Sequence, residues 1–263
     1  MTRFEAVVQP GGVAVVTGAA LGIGRALARD LAARGMRVVM VDSDAAALAE
    51  AADDGAVARV VDVADRDAMQ ALSSEAAAMG PVRLVVNNAV TRVGRGFDAP
   101  LADWRRAVDV NLFGVIHGVR AFLPVMAGPG MIVNVGSKQG ITNPPGHRVY
   151  NLTKAAVKSF TEGLEHDLRG QGGAISAHLL IPGWTTTGRA AHKPGAWQPE
   201  QVVERLIQGL TRGDFYILCP DGEVTEAMDR ARILWAAGDI TENRPALSRW
   251  HDDWKDVAAK ACS

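Results

Sequence analysis

Only two cysteines, Cys219 and Cys262, occur among the 263 residues. They stand too far apart to suggest a metal knuckle or a redox pair, so two idle thiols in a reducing compartment, the cytoplasm, are expected. No run approaches 18 uninterrupted apolar residues, so no segment is expected to span a membrane. The opening MTRFEAVVQPGG has no charged head before an apolar run, and a signal peptide is not expected. Net charge is −1, with no basic stripe, which argues against nucleic acid as the main partner. No His, Cys or Asp cluster has metal-ligand spacing, so chemistry without a metal is expected. There is no internal repeat, low-complexity tract or linker, and 1–263 reads as a single domain.

What is present is a regular alternation. Apolar runs at Val13–Thr17, 37–41, 59–61, 84–87, 131–135 and 176–181 predict strands buried on both faces, as in a parallel sheet. Amphipathic stretches at 24–34, 45–52, Arg66–Met79, 103–126 and 149–168 predict helices between them. The class expected is α/β, a Rossmann-type doubly wound parallel sheet. Beyond residue 181 come a Gly/Pro/Thr-containing stretch, a helix at 199–211, an apolar run at 215–219 and a charged, tryptophan-bearing tail. These are expected to form a substrate lid over about 183–212 and a C-terminal extension over about 221–263.

Thr17-Gly18-Ala19-Ala20-Leu21-Gly22-Ile23-Gly24 follows a strand and opens a helix. Glycines there allow a tight turn and bring backbone amides to a pyrophosphate at the positive end of the helix. Asp42 closes the second strand, where a carboxylate accepts from ribose hydroxyls and repels a 2′-phosphate. With no Lys or Arg at 19–21 and Ser43 next in line, NAD is favoured over NADP. Asp62-Val63 and Asn87-Asn88-Ala89 fall at further strand ends, where open α/β sheets bind ligands.

Tyr150 and Lys154 stand four residues apart near the start of a predicted helix, on one face. A phenol near pKa 10 exchanges protons poorly at neutral pH unless a cation stabilises its phenolate. Ser137 lies thirteen residues before Tyr150, just past a strand.

Taken together, these motifs resemble the short-chain dehydrogenase/reductase family over about residues 11–187. The resemblance implies that Thr17, Gly18, Gly22, Ile23 and Gly24 hold the cofactor, with Asp42 selecting NAD and Asp62 and Val63 meeting the adenine. Asn88 and Ala89 would support the sheet end and the ribose, with Val90 where a glycine is usual. It implies a tetrad of Asn111, Ser137, Tyr150 and Lys154. Tyr150 would be the acid/base and Ser137 the holder of the substrate oxygen. Lys154 would hold the ribose and lower the tyrosine pKa, and Asn111 would hold a relaying water. Pro182, Gly183, Thr185 and Thr187 would complete the cofactor site.

The activity implied is NAD-dependent interconversion of a secondary alcohol and a ketone. An NADP-preferring reductase of the same family and an idle NAD-binding regulator are the alternatives. By family position the substrate pocket involves Val93 within 93–97, Gln139, His147 within 144–147, Trp184 and a lid at 188–197 that includes His192. The mixture suggests a small uncharged, partly apolar or aromatic alcohol or carbonyl compound. The usual Val-Asp-Gly-Gly ending is absent. Apolar residues Val115, Phe122, Val125, Val157, Phe160 and Leu164 exceed what one helix face needs, and since the helices that carry them form a dimer interface in the family, the resemblance implies a homodimer or homotetramer.

Overall fold

Seven short strands alternate with helices along the chain, largely where the apolar runs place them. The elements begin α1 (Arg3–Val7), β1 (Val13–Thr17), α2 (Gly22–Ala33), β2 (Arg37–Asp42), α3 (Ala45–Ala51), β3 (Val57–Val60) and α4 (Arg66–Met79). Then follow β4 (Val82–Asn87), α5 (Leu101–Val108), α6 (Gly114–Phe122), β5 (Met126–Val135), α7 (Gln139–Thr142) and α8 (Arg148–Gly170). The chain continues through β6 (Ile175–Ile181), α9 (Pro199–Arg212), β7 (Tyr216–Leu218), α10 (Glu226–Thr241) and α11 (Lys255–Ala261). The computed structural model describes residues 1–52, 56–94, 96–188 and 191–262.

All strands pair in parallel, in the order β3-β2-β1-β4-β5-β6-β7. Sequence order reverses between β1 and β4, so their carboxyl ends diverge into a crevice where such sheets bind ligands. The runs are continuously apolar because both faces are covered. Ala14 and Val16 of β1 enter the layer under α2 and α9, while Val13 and Val15 enter the one under α4 and α6. Phe122 is fully buried in the second layer, and truncating it to alanine would cost about 3–5 kcal/mol.

Several boundaries differ from the sequence expectation. The third strand is Val57–Val60, not 59–61, so Asp62 lies beyond it. As an edge strand it leaves Val60 59% exposed, which weakens its apolar signature. Helices α1, α10 and α11 were not foreseen. Only Asp229 and Gly238 are buried in α10, so no apolar stripe marks it.

The stretch expected as one helix over 103–126 is helical from Leu101 to Val125 but not uniform. Residues Asp109–Phe113 form a π turn in which the Gly114 amide donates to the Asp109 carbonyl, and Leu123–Val125 form a 3₁₀ turn. By length and composition these 25 residues could cross a bilayer, although no long uninterrupted apolar run reveals it. In this fold Val119, Ala121 and Phe122 pack on the sheet. Val115, Phe122 and Val157, expected to be left over for a second copy, are likewise buried within the chain, whereas Phe113 and Leu152 are exposed.

Candidate active site

The crevice is stitched by one hydroxyl and one amide. The Thr17 hydroxyl donates to the Val86 carbonyl (3.3 Å) and accepts from the amides of Asn88 (3.0 Å) and Ala89 (3.1 Å). Asn88 Nδ2 donates to the carbonyls of Thr17 (2.9 Å) and Gly18 (3.1 Å). A Cβ on Gly24 would stand 2.2 Å from the Gly18 oxygen, so that position admits only glycine. Gly18, at φ +64°, would bring one to 2.8 Å from Ala89 Cα. Leu21, which caps α2, offers no side-chain hydrogen bond, so the first-turn amides at Gly22, Ile23 and Gly24 keep their anion-binding capacity. Val90 does not take the left-handed conformation.

A cavity of about 730 Å³ runs from this turn to Tyr150. Asp42 borders one end; its carboxylate accepts from the amides of Ala20 and Asp44, both at 3.1 Å. Gly18, Gly22, Ile23, Asn88, Pro182, Gly183, Thr185 and Thr187 also line it. Asp62 and Val63 do not. The Asp62 carboxylate meets Arg106 at 2.8 Å and accepts from the Ala64 amide at 3.0 Å. Burial raises its pKa, but these two partners outweigh that and lower it overall.

At the other end of the cavity stand Ser137, just past β5, and Tyr150, in the first turn of α8. Burial pushes the phenol above its ordinary pKa, while the neighbouring Ser137 hydroxyl and the Arg92 guanidinium pull it back. Arg92 lies 5.8 Å from the Tyr150 ring centroid, and so does the Lys154 ammonium. Lys154 is 2% exposed and donates to the Val135 carbonyl at 2.6 Å. Burial, and then Arg92, hold its pKa down at about 8. Arg92 thus joins the expected Lys154 as a second cation beside the phenol.

Asn111 is fully buried on the π turn. Its Oδ1 accepts from the Thr91 amide (2.7 Å), and its Nδ2 donates to the Thr91 carbonyl (3.1 Å) and the Thr153 hydroxyl (3.4 Å). It thus pins the loop that carries Arg92 to the helix that carries Tyr150. Beneath it, Asn87 Nδ2 donates to Asn134 Oδ1 (2.8 Å), and Asn134 Nδ2 to the Thr161 hydroxyl (3.0 Å). Asn134 stood inside an apolar run, and nothing in the sequence marked it.

Val93, Gln139, His147 and Trp184 line the cavity; Phe97, Pro144 and His192 do not. His192 instead meets the Thr186 hydroxyl at 2.9 Å. Arg95 of the 93–97 segment and residues 189–190 of the lid lie outside the described residues. Missed altogether were Arg92, one residue before the expected segment, and Lys138 beside Ser137. Lys138 meets Asp229 of α10 at 2.5 Å and Asp221 at 3.5 Å, with both carboxylates largely buried. Asp221 also accepts from the Trp184 amide. The C-terminal extension is thereby fastened to the segment holding Ser137. Among the described residues no three His, Cys, Asp or Glu side chains converge as metal ligands. Both cysteines are free and buried, and burial pushes the Cys219 thiol up to about 12.

Residues 12–196 match the family model described as short chain dehydrogenase. Galactitol 2-dehydrogenase (L-tagatose-forming) of Cereibacter sphaeroides is 38% identical over 186 residues, covering 67% of this chain and 72% of that protein. A 3-alpha-(or 20-beta)-hydroxysteroid dehydrogenase of Mycobacterium tuberculosis is 34% identical over 204 residues, covering 75% and 76%. The crystal structure of a short-chain dehydrogenase/reductase from Burkholderia phymatum in complex with NAD superimposes with a TM-score of 0.80. It is 32% identical and covers 93% of this chain and 97% of its own. The chain belongs to the short-chain dehydrogenase/reductase family of oxidoreductases.

Proposed function

We propose that the protein interconverts a secondary alcohol and a ketone with NAD(H), using Tyr150 as general acid/base. The observation that carries this reading is the single cavity joining Asp42 and the bare glycine turn to Ser137 and Tyr150. The turn fits a dinucleotide because its glycines leave no room for side chains and its helix amides have no capping side chain. Gly18, Gly22, Ile23 and Gly24 would hold the pyrophosphate, Asp42 the adenosine ribose, and Thr185 and Thr187 the nicotinamide end. Lys154 would reach the second ribose. When bound, the nicotinamide takes or returns a hydride.

The residues of the chain manage the proton. In oxidation the Tyr150 phenolate accepts the hydroxyl proton while Ser137 donates to the same oxygen and steadies its developing charge. In reduction Tyr150 returns the proton. Arg92 favours the phenolate. Val93, Gln139 and Trp184 suit a small uncharged, partly apolar or aromatic substrate. A homodimer or homotetramer fits the exposed Phe113 and Leu152, and light scattering at micromolar concentration should exceed the monomer mass.

The test is NADH formation against a panel of secondary alcohols. Turnover is expected with at least one, and Tyr150→Phe should nearly abolish it while NADH affinity stays within about twofold, since the hydroxyl acts mainly in the transition state. Retention of most activity by Tyr150→Phe would overturn the assignment.

A further inference from the structure

A second cavity, of about 270 Å³, lies between α7 and the C-terminal extension, with Ile141, Trp235 and Trp250 among its walls. It is separate from the nucleotide crevice, although α7 borders both: Gln139 faces the first, and Ile141 and Asn143 the second.

Two guanidiniums, Arg232 and Arg249, also line this cavity. Among the described residues neither has an ion-pair partner, and Arg232 Nε is buried with no hydrogen-bond acceptor. The nearby carboxylates are already engaged. Asp229 acts on both arginines at longer range but holds Lys138 in direct contact. Asp239 lines the cavity and is taken up by Arg244 Nε at 3.0 Å, the Ser248 amide at 3.1 Å and the Ser248 hydroxyl at 2.5 Å. Arg249 rests on the Trp250 ring at 4.8 Å, and burial, then the neighbouring Arg232, lowers its pKa. Two like charges, partly removed from water and without a counter-ion, are unfavourable unless an anion completes them.

We infer that this cavity binds a small apolar carboxylate. The carboxylate would accept from Arg232 Nε and the Arg249 guanidinium, and an aromatic or branched aliphatic body would lie against Trp235, Trp250 and Ile141. The apolar walls favour such a body over a multiply charged phosphate, which would need donors on several sides. Binding here does not rest on the activity proposed above.

Phenylacetate is a suitable probe, titrated into the full chain saturated with NADH and followed by calorimetry and tryptophan fluorescence. Saturable binding is expected, with phenylacetamide at least tenfold weaker because it lacks the charge. Arg232→Met and Arg249→Met should each weaken phenylacetate at least tenfold while NADH affinity and the far-ultraviolet circular dichroism spectrum persist. Tyr150→Phe should leave phenylacetate affinity unchanged, which separates this cavity from the catalytic one. If either arginine variant misfolds, the acid-to-amide ratio on the unaltered chain decides. Equal binding of acid and amide, no saturable binding, or affinity indifferent to both arginines in folded variants would overturn the site.

Discussion

The Arg92 guanidinium lies over the Tyr150 ring, 5.8 Å from its centroid, and is a nearby cation that lowers the pKa of a phenol otherwise raised by burial. Removing it should raise that pKa. The rise of alcohol oxidation with pH should therefore move to higher pH in Arg92→Met, with a severalfold loss of rate at pH 7 and little change in NADH affinity. Arg92→Lys should restore part of the shift. A pH profile unmoved in Arg92→Met would show that the charge does not reach the reacting oxygen.

Lys154 carries a stability cost that depends on pH. Its folded pKa of about 8 lies below the ordinary 10.5, so between those values the unfolded chain binds the extra proton. Stability from this group is present above about 10.5 and is lost as pH falls through 8. Lys154→Met lacks that dependence. Its stability relative to the parent should be greatest below pH 8 and decline by about 3 kcal/mol by pH 10.5. Denaturant unfolding of both proteins at pH 7 and pH 10 measures this, and a difference constant with pH would refute it.

Asp42 bears on cofactor choice. Its carboxylate already steadies the glycine turn through the Ala20 amide. NAD should bind at least tenfold tighter than NADP, about 1.4 kcal/mol. Asp42→Ala should erode that preference and weaken NAD as well. Equal affinity of the unaltered protein for NADP would contradict the reading.

The Lys138–Asp229 contact ties a helix of the extension to the serine segment. Asp229→Asn leaves the buried ammonium with only Asp221, at 3.5 Å, and should cost about 3 kcal/mol of stability. The kcat should also fall, because Ser137 adjoins the released lysine, while NADH affinity changes little. A fully active, equally stable variant would show the contact to be incidental.

Most of the nucleotide side was legible because strand ends and glycine turns are local features. Val13–Thr17 and Arg66–Met79 appear with the boundaries read from the sequence, and Gly18, Gly22 and Asp42 meet in one cavity. The substrate side was less legible. Arg92 is a loop arginine whose effect depends on Asn111, twenty residues away, pinning Thr91. Lys138 gains its partners from residues more than eighty positions further on. Helix α10 buries only Asp229 and Gly238, so hydrophobic periodicity could not reveal it.

The π turn at Asp109–Phe113 has a consequence for the register of the chain. It holds one more residue than a regular turn, and Asn111 occupies the widened step. Deleting a single residue there would let the turn close as ordinary α-helix without opening a gap in the backbone. The helices on either side would keep their phase, because the residue removed is the one that the wide turn holds in excess. Gly118, where a Cβ would stand 2.0 Å from Asn87 Oδ1, would then stay against the strand that it lets approach. A one-residue deletion at 109–113 that spares Asn111 should therefore cost less stability than one within Gly114–Phe122, which would turn one flank by about 100° against the other, and thermal unfolding of the two variants checks it.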